Sequence, residues 1–271
     1  MTAEGITTSF TGQVALVTGA SSGIGAATAR LLSKQGFKVI LVARRLERLL
    51  KLKSELNENG SQVDVFPVDL TSDAERVSFF DKVKARFDQI DLLINNAGLG
   101  WYGYYADMPW KTTLEMLSLN VAASLHLTSL FLPAMLKRNK GHIINIGSIA
   151  GGFPNQGVAV YSATKSFLDA FTSSLYRETR GSQVQVSIVR AGPVQTEFSE
   201  IVSSLEGSRH LPTESVGVSA DLVAKRIWGL IKRPRKVIYV PDFLRFTPWL
   251  EFTFGWLIDR LGPVLLRRRT D

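Results

Sequence analysis

The chain of 271 residues has no cysteine, which excludes disulfide frameworks and thiolate chemistry and leaves the redox compartment undetermined. Histidine is nearly as scarce. His126, His142 and His210 stand too far apart in sequence to make the close pairings of a metal site, so no metal is expected. No Gly-Lys-Ser/Thr follows the first glycine cluster, which excludes a nucleotide-triphosphate loop. Met1 to Gln13 lacks the charged start and apolar middle of a signal peptide, and cytoplasmic residence is the default expectation. Nor does a shift in composition mark a second large domain: 45% hydrophobic residues can fill the core of one α/β unit.

What the chain does have is an uneven excess of positive charge. The formal net charge is +8, and from Lys225 onward eleven basic residues face four acidic ones. Bulky aliphatic and aromatic residues accompany these cations and no recognised nucleic-acid module surrounds them, so nucleic acid is not an expected partner.

Apolar, β-rich runs alternate with helix-like segments from Val14 to Val240, the pattern of βαβ units and a parallel sheet of seven strands. The first strand leads through Gly19, Ser21, Ser22, Gly23, Ile24 and Gly25 into a helix expected over Gly23 to Lys34. A strand feeding a helix through small residues brings backbone N–H groups and the positive end of a helix dipole to a pyrophosphate. Gly19 permits the sharp exit, Gly23 close approach to phosphates and Gly25 packing of the helix on the sheet. The second strand, Lys38 to Val42, runs into Ala43-Arg44-Arg45. At this place in a dinucleotide fold an acid would bind a ribose 2′-hydroxyl, whereas arginines accept a 2′-phosphate, so NADP is favoured over NAD.

The third strand, Val63 to Val68, ends in Asp69-Leu70, and the fourth, Asp91 to Ile94, in Asn95-Asn96-Ala97-Gly98. These polar ends lie on the carboxyl edge of the sheet, where they either meet a ligand or only form turns. A glycine- and aromatic-rich loop, Leu99 to Tyr105, follows and is suited to walling an apolar pocket. A long helix from about Pro109 to Arg138 carries Asn120 in its apolar middle. The fifth strand, His142 to Ile146, ends in Gly147-Ser148. Thirteen residues on comes Tyr161, with Lys165 one helical turn later on the same face. A tyrosine pKa near 10 is too high for easy proton exchange at neutral pH, and a nearby ammonium is expected to lower it.

Taken in order, Thr18-Gly-Ala-Ser-Ser-Gly-Ile-Gly25, Asp69, Asn95-Asn-Ala-Gly98, Asn120, Ser148, Tyr161-Ser-Ala-Thr-Lys165 and Ala191-Gly-Pro-Val-Gln-Thr196 resemble the short-chain dehydrogenase/reductase family over roughly Gly12 to Val240. The resemblance implies a Rossmann-type doubly wound fold and hydride transfer between NAD(P) and a carbonyl or alcohol. It implies Tyr161 as general acid/base, Lys165 as the cation that lowers its pKa and holds the nicotinamide ribose, Ser148 as a hydrogen-bond donor to the substrate oxygen, and Asn120 as anchor of a water relaying protons to Lys165. For the cofactor it implies Gly19, Ser21, Ser22, Gly23, Ile24 and Gly25 at the phosphates, Arg44 and Arg45 at the 2′-phosphate, and Asp69 and Leu70 at adenine. Asn96, Ala97 and Gly98 would support ribose, with Pro193, Val194 and Thr196 at the nicotinamide. NADP(H) is thus the preferred cofactor, with NAD(H) left open. One departure stands out: Ala191 occupies a place where the family commonly has proline. Ser148 has no evident Ser-His-acid partners in His126 or His142, which argues against hydrolysis.

A lid over the substrate is expected between Thr196 and about Ser219, where Phe198, Ile201, Val202 and Leu205 mix with serines and Pro212. With Trp101, Tyr102, Phe153 and Pro154 these residues point to a bulky apolar substrate, steroid-like or lipid-like. Residues 1–241 form the expected catalytic domain. Residues 242–271 form an apolar and basic extension, packed on the domain, on another subunit or on a membrane surface. Pro248 can start a helix there with Glu251, Gly255 and Asp259 as a narrow polar stripe. Arg245 and Glu251 interrupt the apolar run, which is also short for a bilayer span; a peripheral contact with aromatic anchors and Arg267, Arg268 and Arg269 at anionic lipid is the membrane reading. A dimer or tetramer is implied by the resemblance alone. The alternative to an enzyme is a non-catalytic NADP-binding sensor or scaffold.

Overall fold

The computed structural model describes residues 10–58, 60–210 and 217–267. Its centre is a parallel sheet of seven strands: β1 (Val14–Thr18), β2 (Lys38–Ala43), β3 (Val63–Pro67), β4 (Leu92–Asn95), β5 (Gly141–Ser148), β6 (Val184–Ala191) and, last in the chain, Val237–Val240. In space the order is β3-β2-β1-β4-β5-β6 followed by Val237–Val240. The order reverses between β1 and β4, and a ligand crevice opens at such a switch point beyond the carboxyl ends of the strands.

Alternation along each strand divides the core in two. Ala15 and Val17 of β1 face one side, where α1 (Gly23–Lys34) and α2 (Leu46–Glu58) pack. Val14 and Leu16 face the other, covered by α3 (Asp73–Arg86) and a longer helix. With both faces covered, the strands read as continuous apolar runs, which is why they were legible in sequence.

The expected helix from Pro109 to Arg138 is one rod with an internal irregularity: α4 (Trp110–Leu117), a π turn at Ser118–Ala122 and α5 (Ala123–Arg138). The rod is long and apolar enough to cross a bilayer. Ala123, Leu127, Phe131 and Met135 instead bury one side of it in the second core. The π turn inserts an extra residue at Asn120, a device common at functional sites.

After α6 (Ala159–Glu178) and β6, two short strands not expected from the sequence, β7 (Val194–Gln195) and β8 (Val218–Ser219), pair with each other and flank α7 (Phe198–Ser204). α8 (Ala220–Lys232) returns the chain to the final sheet strand, β9 (Val237–Val240). A short 3-10 turn over Asp242–Phe246 then leads into α9 (Thr247–Arg267). Pro212, Arg268 and Arg269 lie outside the described residues.

Candidate active site

Most of the residues singled out in the sequence line one cleft of about 860 Å³ at the carboxyl edge of the sheet, whereas Gly25, Asn120, Pro154 and Leu205 are not part of its lining. Its floor is the turn between β1 and α1. Gly19 and Gly23 have φ of +64° and +54°, a region that disfavours side chains. A Cβ on Gly25 would lie 2.3 Å from the Gly19 carbonyl and 2.6 Å from Asn96 Nδ2, so the helix can approach only because no side chain intervenes. Ser22 precedes α1 in extended conformation without capping it, and its hydroxyl instead accepts from Arg45 Nη2 at 3.0 Å. The N-terminal N–H groups of α1 are thereby left to an anion.

Asn96 belongs to this floor as a brace. Its Nδ2 donates to the Thr18 carbonyl at 2.8 Å, while the N–H groups of Asn96 and Ala97 donate to Thr18 Oγ1. Asp69 and Leu70 line the cleft beside Arg44 and Arg45. Burial pushes the Asp69 carboxyl up, but the N–H and hydroxyl of Thr71, donating at 2.9 and 2.8 Å, prevail and hold it below the usual range. Asp69 is therefore an anion and an acceptor at neutral pH.

At the other end, β5 and α6 bring three side chains together. β5 runs two residues past the expected Ile146, so Ser148 is its last residue and is paired in register with Ala191 of β6. Tyr161 and Lys165 lie on the first turns of α6, and the Lys165 ammonium sits 5.6 Å from the centre of the Tyr161 ring. Lys165 Nζ donates to the Ile146 carbonyl at 2.9 Å. Burial lowers its pKa to about 8, against the pull of the Asp169 carboxylate.

The expectation that this ammonium depresses the Tyr161 pKa is not met. Burial raises the phenol above its ordinary value, with the Ser148 hydroxyl opposing. Desolvation disfavours the phenolate, and it also weakens the charge of the lysine meant to favour it.

Asn120 is fully buried at the π turn. Its Oδ1 accepts from the Leu99 N–H at 2.8 Å, and its Nδ2 donates to the Leu99 carbonyl at 2.9 Å and to Thr164 Oγ1 at 3.0 Å. Its amide thus clasps the loop after β4 and ties it to α6 one residue before Lys165. Underneath runs a second buried chain, Asn95 to Asn145 to Thr172.

The wall opposite is apolar. Phe198 and Val202 of α7 press against Gly100, and the Phe198 ring lies 6.0 Å from that of Tyr161. Trp101 Nε1 donates to the Glu206 carbonyl at 3.1 Å, tying the aromatic loop to the segment after α7. Phe153 and Ile149 complete this lining; Pro193, Val194 and Thr196 also line the cleft, with the Thr196 side chain against Gly23.

Sequence reasoning missed Glu197 and Arg48. Glu197 accepts from Arg45 Nη1 and Nη2 at 2.8 and 3.2 Å and also from Arg48. The one signal for Arg48 was its position a helical turn after Arg44 and Arg45. Arg44 itself pairs with Glu115 at 3.1 Å and is more than half exposed.

Comparison with known proteins matches residues 13–206 to the family described as short chain dehydrogenase. An NADP-dependent 3-hydroxy acid dehydrogenase of Salmonella typhimurium is 39% identical over 231 residues, spanning 83% of this chain and 91% of the relative. The solved closed form of a serine dehydrogenase complexed with NADP+ is similar with a TM-score of 0.75 at 32% identity, covering 84% of this chain and 94% of that one. The bulky-bulky ketone specific alcohol dehydrogenase of Comamonas testosteroni has a TM-score of 0.73 at 26% identity, covering 96% and 95%.

Proposed function

The chain belongs to the short chain dehydrogenase family and is an NADP-dependent oxidoreductase acting on CH–OH or C=O groups, and we propose that it interconverts a carbonyl and a secondary alcohol on a hydrophobic substrate with Tyr161 as general acid/base. The observation that carries this reading is the meeting of Ser148, Tyr161 and Lys165 at one end of a cleft whose other end is the glycine turn. The turn and the α1 N-terminus would hold the pyrophosphate, Arg44 and Arg45 the 2′-phosphate, Asp69 and Leu70 the adenine, and Asn96, Ala97 and Gly98 the ribose. Pro193, Val194 and Thr196 would meet the nicotinamide, which when bound supplies or accepts the hydride. In reduction Tyr161 gives its proton to the carbonyl oxygen while Ser148 donates a hydrogen bond to the same atom. Burial, which raises its pKa, keeps Tyr161 in the protonated form that the reduction starts from. Lys165, whose pKa burial lowers to about 8, would hold the nicotinamide ribose beside it.

Relatives carry names of hydroxy acid and serine dehydrogenases, whose substrates bear a carboxylate. Here the cations lining the cleft are Arg44, Arg45 and Lys165, and the wall around Tyr161 is Trp101, Tyr102, Ile149, Phe153, Phe198 and Val202. That wall favours an apolar ketone. The test is NADPH oxidation across ketosteroids, long-chain ketoacyl compounds, aromatic ketones and 3-oxo acids, with Tyr161→Phe as control. Turnover confined to the 3-oxo acids would refute the hydrophobic assignment.

Residues 242–271 form, in this proposal, an extension from the catalytic domain of residues 1–241 that makes a peripheral membrane contact. The support is the row of exposed Phe243, Phe246, Trp249, Phe252 and Trp256 beside Arg245 and Arg260. Sedimentation with phosphatidylglycerol vesicles but not with phosphatidylcholine vesicles is the expected result; no sedimentation with either would refute it. Exposed Leu114, Leu117 and Phe167 on α4 and α6 support a homo-oligomer, to be checked by light scattering.

A further inference from the structure

Glu197 is built into both halves of the cleft. Its carboxylate is held by a two-pronged pair with Arg45 and a third bond from Arg48, at a sequence separation of about 150 residues. The same Arg45 reaches Ser21 and Ser22 in the glycine turn, at 3.0 Å in each case. On the backbone side, Glu197 stands immediately before α7, and its carbonyl accepts from the Ile201 N–H at 2.9 Å in the first turn of that helix. α7 is the roof of the reaction end: Phe198, Ile201 and Val202 line the cleft there. The hydrogen bond from Arg45 above all, with that from Arg48, holds the Glu197 carboxyl below its usual range against a modest cost of burial, so it is charged at neutral pH.

We propose that Glu197 is a latch that couples recognition of a 2′-phosphate to the position of the roof over the substrate. The inference rests on the reading that Arg45 serves the 2′-phosphate. A phosphate and the Glu197 carboxylate are both anions and both fit the fork of a guanidinium, so they compete for the same donors. A ribose 2′-hydroxyl brings no such charge and can donate to the carboxylate, leaving the latch closed. Binding of a 2′-phosphorylated nucleotide therefore frees α7, and by thermodynamic reciprocity a freed α7 binds that nucleotide more tightly. Glu197 is in this scheme a positioning residue, which also narrows the preference for NADP(H) over NAD(H).

Two nucleotides lacking nicotinamide test the idea without turnover: 2′,5′-ADP, which carries the phosphate, and 5′-AMP, which does not. Calorimetry gives their affinities, and hydrogen exchange of residues 198–206 reports the roof. In the wild type, saturating 2′,5′-ADP is expected to speed exchange in that segment and 5′-AMP to leave it unchanged. In Glu197→Gln, exchange should be fast without nucleotide, and 2′,5′-ADP should bind about five- to tenfold more tightly, the lower range of coupling between linked sites, with 5′-AMP unaffected. Glu197→Asp, which keeps the charge, should restore wild-type behaviour. Arg45→Ala separates the two levels of the argument. If it weakens 2′,5′-ADP while Glu197→Gln changes neither affinity nor exchange, the latch is wrong and the phosphate reading stands. If Arg45→Ala leaves 2′,5′-ADP binding unchanged, the phosphate reading fails and takes the latch with it.

Discussion

Replacing Asn120 by alanine separates a structural clasp from a purely chemical role. The side chain makes three hydrogen bonds of 2.8 to 3.0 Å in a fully buried position, two of them to the N–H and carbonyl of Leu99. Truncation leaves both backbone groups of Leu99 without their partner, at about 1 to 3 kcal/mol for each buried polar group left unsatisfied. Removing the amide also removes the cost of burying it, roughly 1 to 2 kcal/mol. The net expected loss is about 1 to 4 kcal/mol, a large share of the roughly 5 to 15 kcal/mol that holds a typical domain folded. Denaturant unfolding of wild type and variant, with the midpoint and slope fitted separately, measures it. Because the clasped loop continues through Gly100 to Trp101, which the roof segment holds at Glu206, NADPH binding and turnover should both fall. A stability change below about 1 kcal/mol, together with lost turnover, would refute the clasp and favour a role confined to proton relay.

Tyr161→Phe should lower turnover by roughly 10² to 10⁴, the usual worth of a positioned acid, while NADPH affinity measured by fluorescence stays near wild type. Arg44→Asp should reduce the ratio of NADPH to NADH affinity by about tenfold or more, since a hydrogen bond to a charged group contributes about 1.5 to 3 kcal/mol; an unchanged ratio would end the assignment of Arg44 to the 2′-phosphate. Lys165 has a folded pKa of about 8 against 10.5 for the free side chain, so between these values the unfolded chain binds more protons and stability rises with pH. Relative to Lys165→Met, the wild type should gain roughly 2 to 3 kcal/mol between pH 8 and 10, read from unfolding at each pH. Gly25→Ala should destabilise by about 1 to 3 kcal/mol or more because its Cβ meets a backbone carbonyl. Gly229→Ala in α8, where a Cβ meets nothing within 4 Å, should instead stabilise by roughly 0.5 to 1 kcal/mol.

What could be read in advance depended on range along the chain. β1, β2 and the turn into α1 were legible because strand, glycine turn and helix start are local patterns, and Tyr161 and Lys165 because four residues make one helical turn. Ser148 and Tyr161 were matched by resemblance and meet in space as expected. The direction of the Tyr161 pKa was not legible, since it is decided by how much water the fold excludes and not by which charge stands nearby. The partners of Asn120 were equally hidden: the sequence shows an amide that needs satisfying but not that Leu99 and Thr164 do so. Glu197 was invisible for the plainest reason, its partners lying about 150 positions away on the far side of the cleft.

The two walls of the cleft differ in how they are held. Ser148, Tyr161 and Lys165 stand on β5 and α6, whose other residues are the sheet and its core; changing their surroundings disturbs the whole molecule. The aromatic loop from Gly100 and the roof α7 hang outside the sheet, joined to each other by a few contacts such as that of Trp101 with Glu206. On the proposed reading, mutation in the loop and roof would change what the enzyme accepts while Ser148, Tyr161 and Lys165 keep their places. Appetite and chemistry are separately inheritable here, and a laboratory search for new substrates belongs on the hanging wall.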